Sequence, residues 1–114
     1  MKTNVLITGA TGGLGKAFSA ECASRGWDLF LTDRSMEPLE PLALGITRMY
    51  GVDVQVFAAD LTIAAERGAL WTRVARQGLR FHMLLNGHIF SKIQLCLRDY
   101  NPLGKDMCIY LYFP

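Results

Sequence analysis

Nothing in this chain is strongly basic, cysteine-rich or continuously apolar. Its 12 lysines and arginines and 10 aspartates and glutamates are mixed along the length, for a formal charge of +2. A nucleic-acid partner calls for a basic face, and no such stripe exists. Cysteine is scarce. Cys22, Cys96 and Cys108 share neither a metal-ligand spacing nor a pairing pattern, so they read as buried or incidental thiols in a reducing compartment. Long apolar runs are missing too. The amino-terminal "MKTNVLITGATG" has a charge and a short apolar stretch that ends in glycines, too brief for a secretion signal or a membrane span. The expectation is a cytoplasmic protein with no membrane partner. Disorder is excluded by 51% hydrophobic content against 19% charge, because that composition supplies a core. With 114 residues, one domain is the ceiling, burying roughly two thirds of the surface its unfolded form exposes.

What is present is alternation. Val5–Ile7 predict a short buried strand before Thr8 and Gly9. From Leu14 the period becomes helical through Ala17, Phe18, Cys22 and Arg25, with Gly26 as a stop. Trp27–Thr32 predict a second strand with Asp33 at its carboxyl end. Pro38 and Pro41 follow, and a helix is expected at or just after Pro41, because proline suits only a first turn. Val52–Ala58 form a third strand. Thr62 is placed to cap a helix through Arg76, its inward side being Ala64 or Arg67, Leu70 and Val74, with a stop at Gly78. Phe81–Leu85 are the fourth strand. This rhythm implies parallel strands joined by right-handed crossovers, with helices on both faces.

Chemistry concentrates in "VLITGATGGLGK", residues 5–16. Gly9 lets the chain turn sharply off the strand. Gly13 permits close approach of a pyrophosphate, Gly15 lets helix and strand pack tightly, and Gly12 adds another position without a Cβ. The helix that starts here offers unpaired N–H groups to phosphates. The loop is not a Walker loop, since Lys16 is followed by Ala17. Asp33 is placed to accept hydrogen bonds from the adenosine ribose hydroxyls, which favours NAD over NADP. Arg34 is either a phosphate-gripping guanidinium, which would admit NADP, or a solvated surface arginine. Asp60, in "FAADLT", either meets the adenine edge or caps the next turn.

Together these residues resemble the short-chain dehydrogenase/reductase family. "TGATGGLG" at Thr8–Gly15, which includes Thr11 and Leu14, is similar to that family's Thr-Gly-x-x-x-Gly-x-Gly loop. Asp33 stands where NAD-preferring members carry an acidic residue, and Asp60–Leu61 where the family has its Asp-Leu/Val pair beside adenine. The resemblance covers about residues 3–90. It implies a Rossmann-like doubly wound α/β parallel sheet, cut off after about four strands, with strand order 3-2-1-4. It also implies a cofactor set of Gly9, Thr11, Gly12, Gly13, Leu14, Gly15, Asp33, Arg34, Asp60, Leu61 and Asn86. The expected division is a dinucleotide-binding core over 1–90 and an atypical tail over 91–114.

Departures from the family pattern follow strand four. Where the family has Asn-Asn-Ala-Gly, "MLLNGHIF" keeps only Asn86, with Gly87, His88 and Ile89 in place of the rest. The catalytic serine and Tyr-x-x-x-Lys motif of the family normally fall beyond position 114. Tyr100 and Lys105 are no substitute, with Pro102 and Gly104 between them; Ser91 has no role from spacing, and Tyr110 and Tyr112 precede no lysine. The catalytic set is therefore expected to be empty. In the tail, Phe90–Leu97 suit a short helix. Met107–Phe113 suit a strand that covers strand four from the same chain or another copy, or else an extension with no selected role. The leading expectation is a fragment that binds NAD, or NADP, weakly, without oxidoreductase activity of its own, as a homodimer or larger homo-oligomer. The alternatives are an oxidoreductase completed by residues outside this chain, and an interaction module with a vestigial loop.

Overall fold

The computed structural model describes residues 3–87 and the backbone of 108–111; the helix expected over Phe90–Leu97 and the pair Tyr100 and Lys105 lie outside the described residues. Among the described residues, five strands and three helices follow one another as β1 (Asn4–Thr8), α1 (Gly13–Ser24), β2 (Asp28–Asp33), α2 (Met36–Tyr50), β3 (Val54–Ala58), α3 (Ala64–Arg76), β4 (Met83–Asn86) and β5 (Cys108–Leu111). They form one sheet in the order β3-β2-β1-β4-β5. Every pairing is parallel, and β1 sits at the centre with Thr8 opposite both Thr32 and Asn86. The strand order is the one expected. The fifth strand continues the sheet beyond β4 within the same chain, with Leu84 opposite Ile109.

Burial on both faces explains why the inner strands β1 and β2 read as apolar runs at their centres. Val5, Ile7, Leu29, Leu31 and Leu85 pack under Cys22 and Ala23 of α1 and Leu39 and Ile46 of α2. Leu6, Phe30 and Leu84 point the other way, against Leu70, Trp71 and Val74 of α3 and Phe81 of the following turn. Phe30 and Phe81 meet edge to face with centroids 5.8 Å apart. Truncating a ring so buried costs about 3–5 kcal/mol. Trp71, absent from the expected inward set, is 4% exposed and occupies the helix face between Leu70 and Val74.

Three local expectations are corrected. α2 starts at Met36 and not at Pro41, and it carries Pro41 inside the helix. Pro38, in the first turn, forfeits nothing, but Pro41 removes a bond to the Glu37 carbonyl, a loss on the order of 3 kcal/mol. Burial of Leu39 on one side of Pro41 and Ile46 on the other offsets it. The helix then ends at Gly51, whose φ of 69° lets its N–H reach the Thr47 carbonyl. At α3 the cap position falls to Ile63, with no side-chain cap. Thr62 instead turns back, its N–H and hydroxyl both donating to Asp60 Oδ1 at 3.0 and 2.6 Å. β4 begins two positions later than expected, because Phe81 is committed to the α3 face. His82 takes over at the strand entrance: its N–H donates to the Asn4 carbonyl, and its Nδ1 accepts from the Asn4 N–H at 3.1 Å.

Candidate functional site

The glycine loop lies at the carboxyl ends of the central strands, between the exit of β1 and the first turn of α1. Gly9 has φ 61°, a left-handed conformation that turns the chain off β1 without strain only for glycine. Its carbonyl accepts the Gly12 N–H at 3.2 Å, and the Gly12 carbonyl accepts the Lys16 N–H at 2.9 Å, which starts α1. Gly12 is the cap residue and offers no side chain to the first-turn N–H groups. These donors therefore face outward from the loop.

Gly13 and Gly15 differ in what surrounds them. A Cβ built on Gly13 meets nothing within 4 Å, so its position borders open space in front of the helix terminus. One on Gly15 would lie 2.1 Å from the Gly9 carbonyl oxygen and 2.6 Å from Ala10 Cα. Gly15 is thus where α1 presses on the turn leaving β1. Ser19, fully buried behind that contact, donates to the Gly15 carbonyl of the same helix at 2.7 Å. Leu14, between the two glycines, is partly buried.

Asp33, the last residue of β2, sits beside this loop and is engaged by it. Its Oδ2 accepts from the Thr11 N–H at 3.0 Å and from the Thr11 hydroxyl at 2.5 Å. Its Oδ1 accepts from the Arg34 N–H at 2.8 Å. Arg34 itself is exposed. The loop and the ribose-binding candidate therefore form one hydrogen-bonded unit, which spacing along the chain does not reveal.

The remaining predicted residues lie further from the loop. Asp60 holds the turn into α3: besides receiving Thr62, its N–H donates to Glu66 Oε1 at 2.9 Å. These bonds close the Asp60–Thr62 turn and tie it to Glu66 in the first turn of α3. Leu61 buries its side chain in the core under α3, while its carbonyl accepts from Arg67 Nη1 at 2.8 Å. Asn86 is 5% exposed, and its Oδ1 accepts from the Thr8 hydroxyl at 2.8 Å, tying β4 to β1 beneath the loop.

Gly87 is a residue that sequence reasoning passed over. Its N–H donates to the Thr8 carbonyl at 2.7 Å. A Cβ there would lie 2.8 Å from the same oxygen, 3.0 Å from the Gly9 carbonyl oxygen and 3.1 Å from Gly15 Cα. The departure from the family's second asparagine thus coincides with a place where three backbone segments converge. Its signal was a glycine directly after a central strand.

Burial holds the Cys22 thiol neutral by pushing its pKa from 9.0 up to about 11, so it offers no nucleophile at neutral pH. Among the described residues, no group of three or more histidine, cysteine, aspartate or glutamate side chains is placed to hold a metal ion. None of the described helices is long and apolar enough to cross a membrane.

Residues 3–92 match the family model for short chain dehydrogenase. The chain is 40% identical over 83 residues to the very-long-chain 3-oxoacyl-CoA reductase of Anas platyrhynchos, covering 71% of this chain and 26% of the relative. It is 38% identical over 61 residues to the human inactive hydroxysteroid dehydrogenase-like protein 1, covering 54% of this chain and 18% of that protein. Among solved structures, a short-chain dehydrogenase from Sphingobium yanoikuyae in complex with NADPH superposes with a TM-score of 0.65 at 38% identity, over 72% of this chain and 32% of that one. The chain therefore spans between 18% and 32% of the length of these three proteins.

Proposed function

This chain belongs to the short-chain dehydrogenase family, and from that premise we propose that it binds a nicotinamide dinucleotide through the loop Gly9–Gly15. The observation that carries the reading is the contrast inside the loop. Gly15 is closed by backbone atoms while Gly13 opens on free space before unpaired helix N–H groups, as a pyrophosphate requires. Gly12 and Thr11 border the same space, and Asp33 takes the adenosine ribose. The NADPH held by the Sphingobium yanoikuyae enzyme supports the cofactor class.

NAD(H) is the preferred form in this reading, because a 2′-phosphate would meet the Asp33 carboxylate at close range. Exposed Arg34, next in the chain, favours NADP(H) as a second reading. Calorimetric titration of the purified chain with NAD(H) and NADP(H) separates the two. Weak binding with NAD(H) ahead is expected; tighter NADP(H) binding transfers the assignment to Arg34, and no binding at millimolar cofactor defeats the proposal.

By itself the chain has no oxidoreductase activity in this reading. Hydride transfer to or from an alcohol needs a positioned proton donor, worth on the order of 10²–10⁴-fold. The Tyr-x-x-x-Lys motif that the family uses for that role has no match among these 114 residues. A panel of alcohols and carbonyl compounds is expected to give no cofactor-dependent turnover above background. Reproducible turnover abolished by Tyr100→Phe refutes this. A homodimer is part of the same proposal, because among the described residues β3 and β5 stand at the edges of a parallel sheet; the pairing of β5 with β4 of its own chain favours a monomer as the second reading.

A further inference from the structure

Resting on the homodimer reading above, we propose that the second copy docks on the outward face of α2, the two helices lying antiparallel across a twofold axis. α2 rides on the edge strand β3, with Leu39 and Ile46 turned into the core. The opposite side of the helix carries Glu37, Pro41, Leu44 and Arg48, whose alternating spacing of four and three places them on one stripe. All four are exposed. Leu44 is 51% exposed, and Met49, beside the stripe in the last turn, is 74% exposed. A single exposed leucine needs no explanation. An apolar strip at helical spacing with a charge at each end does.

The stripe is complementary to itself. Its acid stands in the first turn of α2 and its base in the last. Antiparallel pairing that sets Glu37 against Arg48 of the second copy also sets Pro41 against Leu44 of the second copy, and the twofold repeats both contacts. A parallel arrangement would set like charge against like. Among the described residues neither Glu37 nor Arg48 has an ion-pair partner in its own chain. Pro41 has no N–H to give the Glu37 carbonyl, which leaves that oxygen to a donor from outside the helix. A guanidinium has donors enough for both the carbonyl and the carboxylate. Gly45, beside Leu44, adds no side chain, and a Cβ there would meet nothing within 4 Å, so a second helix can approach closely. Helix against helix is a small contact, which makes the dimer sensitive to salt and to concentration.

The test is sedimentation equilibrium of the full chain as wild type, Leu44→Glu, Glu37→Arg, Arg48→Glu and the double variant Glu37→Arg/Arg48→Glu. Far-ultraviolet circular dichroism confirms that each is folded. Because the ion pair occurs twice across the axis, each single reversal is expected to raise the dimer Kd roughly tenfold, and Leu44→Glu at least as much. The double variant is expected to return toward the wild-type Kd. Both reversals oppose the helix macrodipole, so the double variant is the least favourable for α2 itself, and its recovery can come only from the pair across the interface. A Kd unmoved by Leu44→Glu and the single reversals, a double variant no better than the singles, or a dimer lost only on truncation at Gly104 overturns the assignment alone. A wild-type chain that stays monomeric at tens of micromolar overturns the homodimer reading, and this assignment with it, and leaves the face to a different protein.

Discussion

Replacing Gly15 and Gly13 by alanine, one at a time, should move stability in opposite directions although only Leu14 separates them. At Gly15 the added methyl lands 2.1 Å from the Gly9 carbonyl oxygen and 2.6 and 2.8 Å from Ala10 Cα and carbonyl carbon. Comfortable non-bonded contact begins at about 3.5 Å. All three neighbours are backbone atoms, and Gly9 is already fixed in a left-handed turn. Relief requires α1 to lift from the exit of β1 by more than about 1 Å, which breaks the packing of Cys22 and Ala23 under the sheet. Overpacking costs about 1–3 kcal/mol where side chains can yield, and the absence of a yielding side chain puts Gly15→Ala at about 3 kcal/mol or more. At Gly13 nothing lies within 4 Å, and the residue opens a helix. Alanine there gains about 0.5–1 kcal/mol from backbone entropy.

Urea unfolding followed by circular dichroism reads both effects. With slopes of about 1–3 kcal/mol per molar, Gly15→Ala should lower the midpoint by about 1–3 M. Gly13→Ala should raise it by a few tenths of a molar up to about 1 M. Calorimetry on the same proteins should show the reverse ordering of cost at Gly13: the more stable variant loses dinucleotide affinity, and Gly13→Val abolishes it. A Gly15→Ala midpoint equal to the wild type would refute the seating of α1 on Gly9. Full affinity in Gly13→Ala would refute the placement of the pyrophosphate.

Gly87→Ala should cost about 1–3 kcal/mol, because its methyl meets the Thr8 carbonyl oxygen at 2.8 Å, and a thermal scan should show a drop of at least several degrees. Cys22, with its pKa raised from 9.0 to about 11, binds a proton in the folded state that the unfolded chain releases. Its contribution is therefore complete below about pH 9 and is lost as pH rises to about 11. Relative to Cys22→Ala, wild-type stability should fall by at most roughly 2–3 kcal/mol across that window, and a flat difference refutes the burial argument. Sedimentation of the intact chain beside one ending at Gly104 tests the homodimer; a monomer at tens of micromolar, unchanged by the deletion, counts against it.

Much of the core could be read along the chain because both faces of the sheet are covered. Val5–Ile7 and the run around Phe30 are apolar without alternation, and each is a strand covered on both faces, whereas the edge strand β3 carries Gln55 among its apolar residues. The turn at Gly9, the start of α1 and the position of Asp33 at the end of β2 followed from local signals of the same kind. Signals that act across a few residues fail when distant burial competes with them. Pro41 argued for a late start to α2, yet Leu39 is fully buried against the sheet and carries the helix back to Met36. Thr62 had the chemistry of a cap, but α3 starts with Ile63 at the cap position, and Thr62 donates back to Asp60.

Strand order, the contact faces and the hydrogen-bonded state of the site belong to the tertiary structure. Thr11 and Asp33 are far apart in sequence, and only the parallel pairing of β1 with β2 brings the loop against the carboxylate. Gly87 is tight because β4 lies beside β1, which places three backbone segments within reach of one missing Cβ. The composition of Met107–Phe113 suited a strand, whereas its parallel pairing with β4 through Cys108–Leu111 depended on where the sheet had an edge to offer. Local composition specifies a residue's own conformation through dihedral and burial preferences. Which distant atoms occupy the space beside it is decided by how the elements pack, and at this site that packing sets which glycine must stay bare and which carboxylate oxygen is engaged.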